Sequence, residues 1–267
     1  MVLFGGSIIA GGDILAEAIQ NEVAKKYIIV GGAGHTTETL RNVAGATDYF
    51  RKFRYFYFVR KAIILEGILL IVANPVDILT YTALKLSGYA PNRVIGSGTV
   101  LDTARLKERL GEHLEVDSRS VHAFIVGEHG DSEIAAWSSA NVSGIPLHDF
   151  CEMRGHHDHE GATAEIAEKV KNSAYEIIQR KGATYYGIAM SVKRICEAII
   201  RDERSILPIS TMMDGEYGIK DVVLSMPSIV GAEGFISKVP ISLSEDEIKA
   251  LHKSAETLKS VLEEALE

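Results

Sequence analysis

The chain has 267 residues, of which 46% are hydrophobic, and it carries a formal charge of −8. This length and hydrophobic content suffice for a well-filled core and predict a globular protein with two lobes. The acidic balance argues against nucleic acid or an anionic membrane surface as the main partner, because both favour basic proteins.

Two further features of the sequence bear on the cellular compartment of the protein. The cysteines, Cys151 and Cys196, lie far apart without metal-ligand spacing, so neither a disulfide framework nor a zinc site is expected. No apolar run approaches the ~20 residues that span a bilayer, and the N-terminus lacks the basic flank of a signal peptide. A protein of the reducing cytoplasm, without a membrane partner, is therefore expected.

Residues 1–45 predict a Rossmann-like β-α-β fragment. Two apolar runs, VLF and YIIV, each end in glycines, and a helix-like stretch over 13–26 lies between them. The following GGAGHT, at 31–36, departs from the GxGxxG fingerprint of dinucleotide-binding turns at the last glycine. Anion binding by His35 with its neighbouring threonines and a purely structural role are both open alternatives.

Residues 46–66 form a junction that is rich in aromatic and basic side chains. The pattern superficially suggests a platform on which nucleic-acid bases stack, but no recognisable RNA-binding motif surrounds it. A partly buried helix or a junction between two unrelated pieces is the favoured interpretation.

Residues 67–267 show the alternation of an α/β protein. ILLIVAN and RVIGSG are buried strands of a parallel sheet, and each precedes a helix, the second over 99–114. VHAFIVG predicts a further strand, followed by helices near 165–180 and 185–201. Strands are predicted near 206–211, 222–225 and 235–241, and an amphipathic helix closes the chain from Glu245 to about Leu266.

Polar groups collect just past the ends of these apolar strands, where open α/β sheets bind ligands. Asp102 and Arg105 lie three residues apart on one helical face, and His129 follows VHAFIVG directly. Singly, each has an ordinary structural explanation. Together they supply an acid/base imidazole, a carboxylate to orient it and a forked cation for a substrate carboxylate.

Five motifs occur in the order found in one enzyme family: NPVDILTY, GSGTVLDTARL, GEHGDSE, KGATYYGIA and HKSAETLKSVL. Over about residues 67–267 the chain therefore resembles L-lactate dehydrogenase, of the lactate/malate dehydrogenase family. The resemblance implies an incomplete Rossmann-like parallel sheet followed by an α+β catalytic domain. It divides this region into the second half of a dinucleotide-binding domain, 67–117, and a catalytic and substrate domain, 118–267.

The resemblance also assigns roles to individual residues. His129 would be the proton donor and acceptor in the conversion of pyruvate to L-lactate, Asp102 would hold its ring, and Arg105 would clamp the substrate carboxylate. The substrate site would further include Asn74 and Thr184. The cofactor is expected to be NAD, with its nicotinamide half lined by Val72, Ala73, Asn74 and Ser97.

Two elements of the family's pattern have no counterpart in the sequence: the GxGxxG turn, and the mobile-loop arginine that polarises the substrate carbonyl. Loss of one such stabiliser costs roughly 100- to 1,000-fold in rate, so impaired activity is expected.

Residues 1–45 resemble the opening of a YdcF/SanA-like domain, which suggests a fusion whose β-α-β piece pairs with the remaining strands. The alternative is a catalytically silent protein or a binder of a nucleotide or phosphate.

Three further features of the sequence are weaker signals. His156, His157 and His159 in GHHDHEG could form a metal clip, but a solvated loop is favoured and no metal site is predicted. Lys107 and His122 match positions at which bacterial relatives bind the activator fructose 1,6-bisphosphate. The family's assemblies imply a homo-oligomer, either a dimer or a tetramer.

Overall fold

The computed structural model describes residues 2–5, 27–32, 67–181 and 186–266. Outside this range lie the predicted helix over 13–26, most of the GGAGHT turn with His35, the aromatic junction 46–66 and Thr184. In the described part the strands, numbered in chain order, are β1 Val2–Gly5, β2 Tyr27–Gly32, β3 Ile68–Ile71, β4 Val94–Gly96, β5 Val121–His122, β6 Ile125–Val126, β7 Ile134–Ala135, β8 Asn141–Val142, β9 Ile145–Pro146, β10 Ser205–Asp214, β11 Lys220–Gly231 and β12 Gly234–Lys238. The helices are α1 Val76–Ser87, α2 Val100–Leu114, α3 Leu147–Arg154, α4 His159–Lys181, α5 Tyr186–Ile200 and α6 Glu245–Leu266.

The largest sheet has the strand order β1-β2-β3-β4-β10-β11-β12. The first four strands pair in parallel, whereas β10 pairs antiparallel with β4 and β11, and β12 pairs antiparallel with β11. The mixed α/β fold expected from the sequence is confirmed. The two N-terminal strands extend the same sheet.

The strand β3 is apolar at every position because both faces of the sheet are covered. Ile68 and Leu70 pack with α5 on one face, and Leu69 and Ile71 pack with α1 on the other. Successive side chains of a strand point to opposite faces, so one short strand contributes to two core layers.

Glycines allow β4 to approach its neighbours closely. A Cβ atom on Gly96 would lie 2.6 Å from Thr80 Oγ1 and 2.7 Å from Ser210 Cβ. Gly98 has a φ of +53°, and a Cβ there would lie 2.6 Å from the Pro208 carbonyl oxygen. These contacts explain the GSG sequence just before α2, and they allow α1 and β10 to lie close to the end of β4.

The second half of the chain packs around α2 and α6. Leu106, Leu110 and Leu114 lie one helical turn apart on α2 and pack against Ile125 and the α4 residue Val170. On α6, Leu251, Ala255 and Leu258 form a corresponding stripe against Leu224 and Met226 of β11. In the described residues no helix is both long and apolar enough to cross a membrane.

The predicted strand over VHAFIVG is wrong in one respect, since it divides into two short strands with different partners. β5 pairs with β8, and β6 pairs with β7 in another sheet. The break falls at Ala123 and Phe124, where the chain turns from one sheet to the other. Apolarity alone predicted a strand but could not indicate this change of partner.

Candidate active site

Asp102 and His129 form a hydrogen-bonded couple. His129 Nδ1 lies 2.7 Å from Asp102 Oδ2, and the exposed fractions of the two side chains are 24% and 5%. Asp102 is in the first turn of α2, where a negative charge is favoured by the helix dipole. Because this contact uses Nδ1, the Nε2 atom is the ring nitrogen left for exchange of a proton with another molecule.

Arg105 binds the other oxygen of the same carboxylate. Its Nη1 donates a 3.0 Å hydrogen bond to Asp102 Oδ1 from one helical turn away, and its side chain is 13% exposed. The three residues predicted from the sequence to form one site are therefore in direct contact. A guanidinium has five N–H donors, so this bond leaves others that can bind a substrate carboxylate.

The electrostatics of the couple favour a protonated imidazole. Burial lowers the pKa of His129, but the charge and hydrogen bond of Asp102, with the charges of Asp77 and Glu133, raise this pKa to about 9. Burial likewise raises the pKa of Asp102, yet His129 and Arg105 outweigh it and hold this pKa below its ordinary value. The resting state is an imidazolium paired with a carboxylate.

A buried aspartate fixes the backbone of His129. Asp77, in the first turn of α1, accepts a 2.7 Å hydrogen bond from the His129 backbone N–H and another from the Ser210 hydroxyl. The Ser210 Oγ also lies 3.2 Å from Ser225 Oγ. Burial raises the pKa of Asp77 to about 6 although both hydrogen bonds oppose this shift.

The two residues before His129 are held from other elements. The N–H of Gly127 donates to the Ser225 carbonyl of β11 at 3.0 Å. The N–H of Glu128 donates to Ser254 Oγ of α6 at 2.9 Å. With the bond to Asp77, three successive N–H groups are bound by three different elements, which fixes the position of the imidazole.

Thr99, at the N-cap of α2, and Thr103 of α2 hold the strand that leads to His129. Thr99 Oγ1 donates to the Ile125 carbonyl at 2.6 Å, and Thr103 Oγ1 accepts from the Ile125 N–H at 2.9 Å. Since Asp102 lies between these two threonines, the N-terminal part of α2 with its cap positions both members of the couple.

Glu133 lies beside the couple. Its carboxylate and the ligand atoms of Asp102 and His129 all lie within 4.8 Å of one another. Burial and the neighbouring charge of Asp102 raise the pKa of Glu133 to about 8. Sequence reasoning missed Glu133, Asp77 and Ser210, although the first two lie inside the GEHGDSE and NPVDILTY motifs.

The residues expected to line the nicotinamide half of the cofactor site lie at the ends of β3 and β4. Val72 and Ala73 are half-buried and Asn74 is exposed just past the carboxyl end of β3, while Ser97 is buried after β4. The Ser97 N–H donates to the Ile71 carbonyl at 2.8 Å, so the two strand ends adjoin.

The two residues expected at an activator site lie elsewhere. Lys107 is half-buried on α2 with a pKa lowered by burial, and His122 is exposed on β5.

Comparisons with known proteins agree with this geometry. Residues 99–267 match the family model of the lactate/malate dehydrogenase α/β C-terminal domain. The chain is 53% identical over 197 residues to an L-lactate dehydrogenase of Acetivibrio thermocellus, covering 74% of this chain and 62% of that protein. It is 51% identical over 198 residues to L-lactate dehydrogenase 1 of Clostridium acetobutylicum, covering 74% and 63%. The chain thus spans less than two thirds of the length of these curated relatives.

Solved structures give a similar result over more of the chain. The minor L-lactate dehydrogenase of Enterococcus mundtii superposes with a TM-score of 0.79 at 39% identity, covering 93% of this chain and 78% of that one. A lactate dehydrogenase from a Medee basin deep-sea metagenome library gives a TM-score of 0.82 at 39% identity, covering 90% and 76%. The suggested YdcF/SanA-like resemblance of residues 1–45 finds no support in these matches.

Proposed function

The chain belongs to the lactate/malate dehydrogenase family, and from that premise we propose that it is an NAD-linked L-lactate dehydrogenase acting on pyruvate and L-lactate. The observation that supports this most is the 2.7 Å contact of His129 Nδ1 with Asp102 Oδ2. It supplies a tautomer-fixed imidazole within reach of a guanidinium, the arrangement that reduction of a 2-keto acid requires.

His129 handles the proton. With a pKa raised to about 9, the imidazolium is populated at neutral pH, and Nε2–H donates its proton to the keto oxygen of pyruvate as that oxygen gains negative charge. In the reverse direction the neutral imidazole accepts the proton of the lactate hydroxyl. Asp102 stabilises the imidazolium while remaining ionised itself.

Arg105 binds the substrate carboxylate. Its side chain is largely shielded from solvent and tied to Asp102 at 3.0 Å, so the guanidinium is held close to the imidazole. Its remaining donors can bind a carboxylate through a planar fork, which the ammonium group of a lysine cannot reproduce. The substrate is thereby oriented with its keto group toward His129.

The adjoining ends of β3 and β4 support an assignment of the nicotinamide half of NAD to this part of the sheet. Asn74 follows β3 and Ser97 follows β4 at the carboxyl ends of adjacent parallel strands, which is where open α/β sheets bind dinucleotides. Val72 and Ala73 would line the ring, and Asn74 would donate a hydrogen bond toward the reacting region. Bound NADH supplies the hydride that reduces the keto carbon. We assign the rest of the cofactor site to residues before Gly67, because β1 and β2 continue the sheet.

We further propose that the chain self-associates. Tyr186 and Met190, one turn apart on α5, are 83% and 61% exposed, and large apolar side chains in such positions favour a protein partner. Sedimentation of the full chain is expected to give a dimer or tetramer, and a monomer at high concentration would contradict this proposal.

The enzymatic proposal is tested by following NADH absorbance with pyruvate for the wild type and for His129→Asn. The variant is expected to be roughly 100- to 10,000-fold slower, the usual contribution of general acid–base catalysis. Equal rates in the two proteins would contradict the proposal. NADH binding by the wild type, measured by fluorescence, without turnover would instead support a nucleotide-binding protein.

A further inference from the structure

Outside the active site, three imidazoles surround one carboxylate at the junction of α3 and α4. Glu152 Oε2 lies 2.9 Å from His157 Nδ1, and Glu152 Oε1 lies 3.5 Å from His159 Nε2. The ring of His148 stacks on that of His159, with centroids 4.2 Å apart and an interplanar angle of 13°. From the sequence, most of this segment is expected to be a solvated loop.

The segment is instead held by capping bonds at both ends. Helix α3 ends at Arg154 and is capped by Gly155, with a φ of 78°. The N–H of His156 donates to the Cys151 carbonyl at 3.0 Å. Asp158 Oδ1 accepts from the Gly161 N–H at 3.1 Å and so caps the start of α4. His157 and His159 therefore project from a defined turn.

Spacing on α3 completes the group. His148 and Glu152 are four residues apart and share one face of the helix, and His159 is the first residue of α4. One ligand atom from each of His148, Glu152 and His159 lies within 4.8 Å of the others. Ligand atoms about 2.0–2.2 Å from a tetrahedral zinc ion lie about 3.3 Å apart, so rotation of the His148 ring out of its stack on His159 would bring the three ligand atoms to one ion.

His159 is the member that a simple surface cluster does not explain. Its side chain is 16% exposed, and among the described residues its buried Nε2 atom has no hydrogen-bond partner. The atom faces Glu152 at a distance too long for a hydrogen bond but suitable for a bridging ion. A buried polar atom without a partner is costly, and a bound cation would satisfy it.

We propose that His148, Glu152 and His159 form a binding site for a late first-row divalent cation such as Zn²⁺. Two imidazole nitrogens and a carboxylate oxygen suit zinc, copper and nickel better than magnesium or calcium. His157 holds the second oxygen of Glu152 from outside the coordination shell and orients it. His148 and Glu152 are 69% and 45% exposed, so a water molecule could complete the coordination of a bound ion. The ion ties the end of α3 to the start of α4.

The test is competition between the full-length protein and a chromophoric chelator for Zn²⁺. Because Asp102, His129 and Glu133 also bring three ligand atoms together, the titration is repeated with His129→Asn. The proposal predicts one equivalent bound by the wild type and by His129→Asn. His148→Gln and His159→Gln are each expected to weaken binding by roughly tenfold or more, and both should lose the rise in melting temperature that Zn²⁺ gives the wild type.

His122→Gln is the matched control, because it removes an exposed histidine outside the cluster and should bind zinc as the wild type does. If His159→Gln proves unstable, His148→Gln decides the matter, since the His148 side chain is 69% exposed and lies outside the hydrophobic core. Zinc binding that disappears in His129→Asn, or that declines equally in His122→Gln and His148→Gln, would overturn the proposal. So would the absence of saturable uptake by the wild type.

Discussion

The backbone N–H of His129 donates a 2.7 Å hydrogen bond to the carboxylate of Asp77, which lies 52 residues earlier in the chain and is 2% exposed. A helix that begins beside the proposed cofactor site thus positions the backbone of the acid/base residue. The same carboxylate accepts the Ser210 hydroxyl of β10. One side chain therefore joins the two halves of the site.

Substitutions of Asp77 by alanine and asparagine are expected to separate the contributions of its hydrogen bonds and its charge to the free energy of unfolding. Asp77→Ala leaves the His129 N–H and the Ser210 hydroxyl without an acceptor and should lower the free energy of unfolding by roughly 2–5 kcal/mol. Asp77→Asn should cost much less, because its oxygen can accept from His129 while its amide donates to Ser210 Oγ. Urea unfolding at pH 7.5 measures both, and equal losses in the two variants would contradict this account.

The pH dependence of the free energy of unfolding, compared between the wild type and Asp77→Asn, tests the effect of the Asp77 charge. Burial raises the pKa of Asp77 from 3.8 to about 6, so its contribution to stability is fully present below pH 3.8 and is lost as pH rises through 6. Relative to Asp77→Asn, the wild type should lose up to about 3 kcal/mol between pH 4 and pH 7. The difference in free energy of unfolding between the two proteins could instead stay constant with pH or grow in favour of the wild type. Either result would show that burial does not destabilise the ionised form of Asp77.

Glu133→Gln is expected to move the pH profile of pyruvate reduction without abolishing it. Burial and the charge of Asp102 raise the pKa of Glu133 to about 8, and its ionised form helps to keep the proton on His129. Removing the charge should shift the falling limb of kcat/KM toward lower pH by about half a unit to one unit. The matched control is Glu108→Gln, an exposed carboxylate on the same helix as Asp102, which should leave the profile unchanged.

Arg105→Lys is expected to weaken substrate binding selectively. Lysine keeps the positive charge but loses the planar fork, so kcat/KM for pyruvate should fall roughly 10- to 100-fold, mainly through KM. Arg109→Lys provides the comparison, since Arg109 is exposed and pairs with Glu112 at 3.4 Å. If both variants kept the wild-type KM, Arg105 would have no part in binding the substrate carboxylate.

Much of the fold was predictable from local patterns. ILLI is apolar at four successive positions because both faces of β3 are covered, and the helix α1 ends at Gly88 with a φ of 66°, as the sequence indicated. The division of VHAFIVG into β5 and β6 was not predictable in this way. It depends on which partner strand each half meets, and on Thr99 and Thr103 binding Ile125.

In the candidate site, too, contacts between residues distant in the chain were not predictable from local sequence. Asp102, Arg105 and His129 were found because their residue types and spacing suggest chemistry directly. Asp77 and Ser210 are 133 residues apart, and nothing in either local sequence indicates that they meet. Glu133 was within reach of sequence reasoning, because it lies four residues beyond His129 in a motif already singled out.

The central claim is that His129, paired with Asp102, transfers the proton between pyruvate and L-lactate. The most direct test is the pH dependence of kcat/KM in both directions, with Asp102→Asn measured beside the wild type. Since Asp102 and its neighbours raise the pKa of His129 to about 9, pyruvate reduction should decline and lactate oxidation should increase as pH rises through that value. In Asp102→Asn burial is no longer opposed by that charge, so both limbs should move to lower pH. Profiles that change in the same sense in both directions, or that Asp102→Asn leaves in place, would contradict the account.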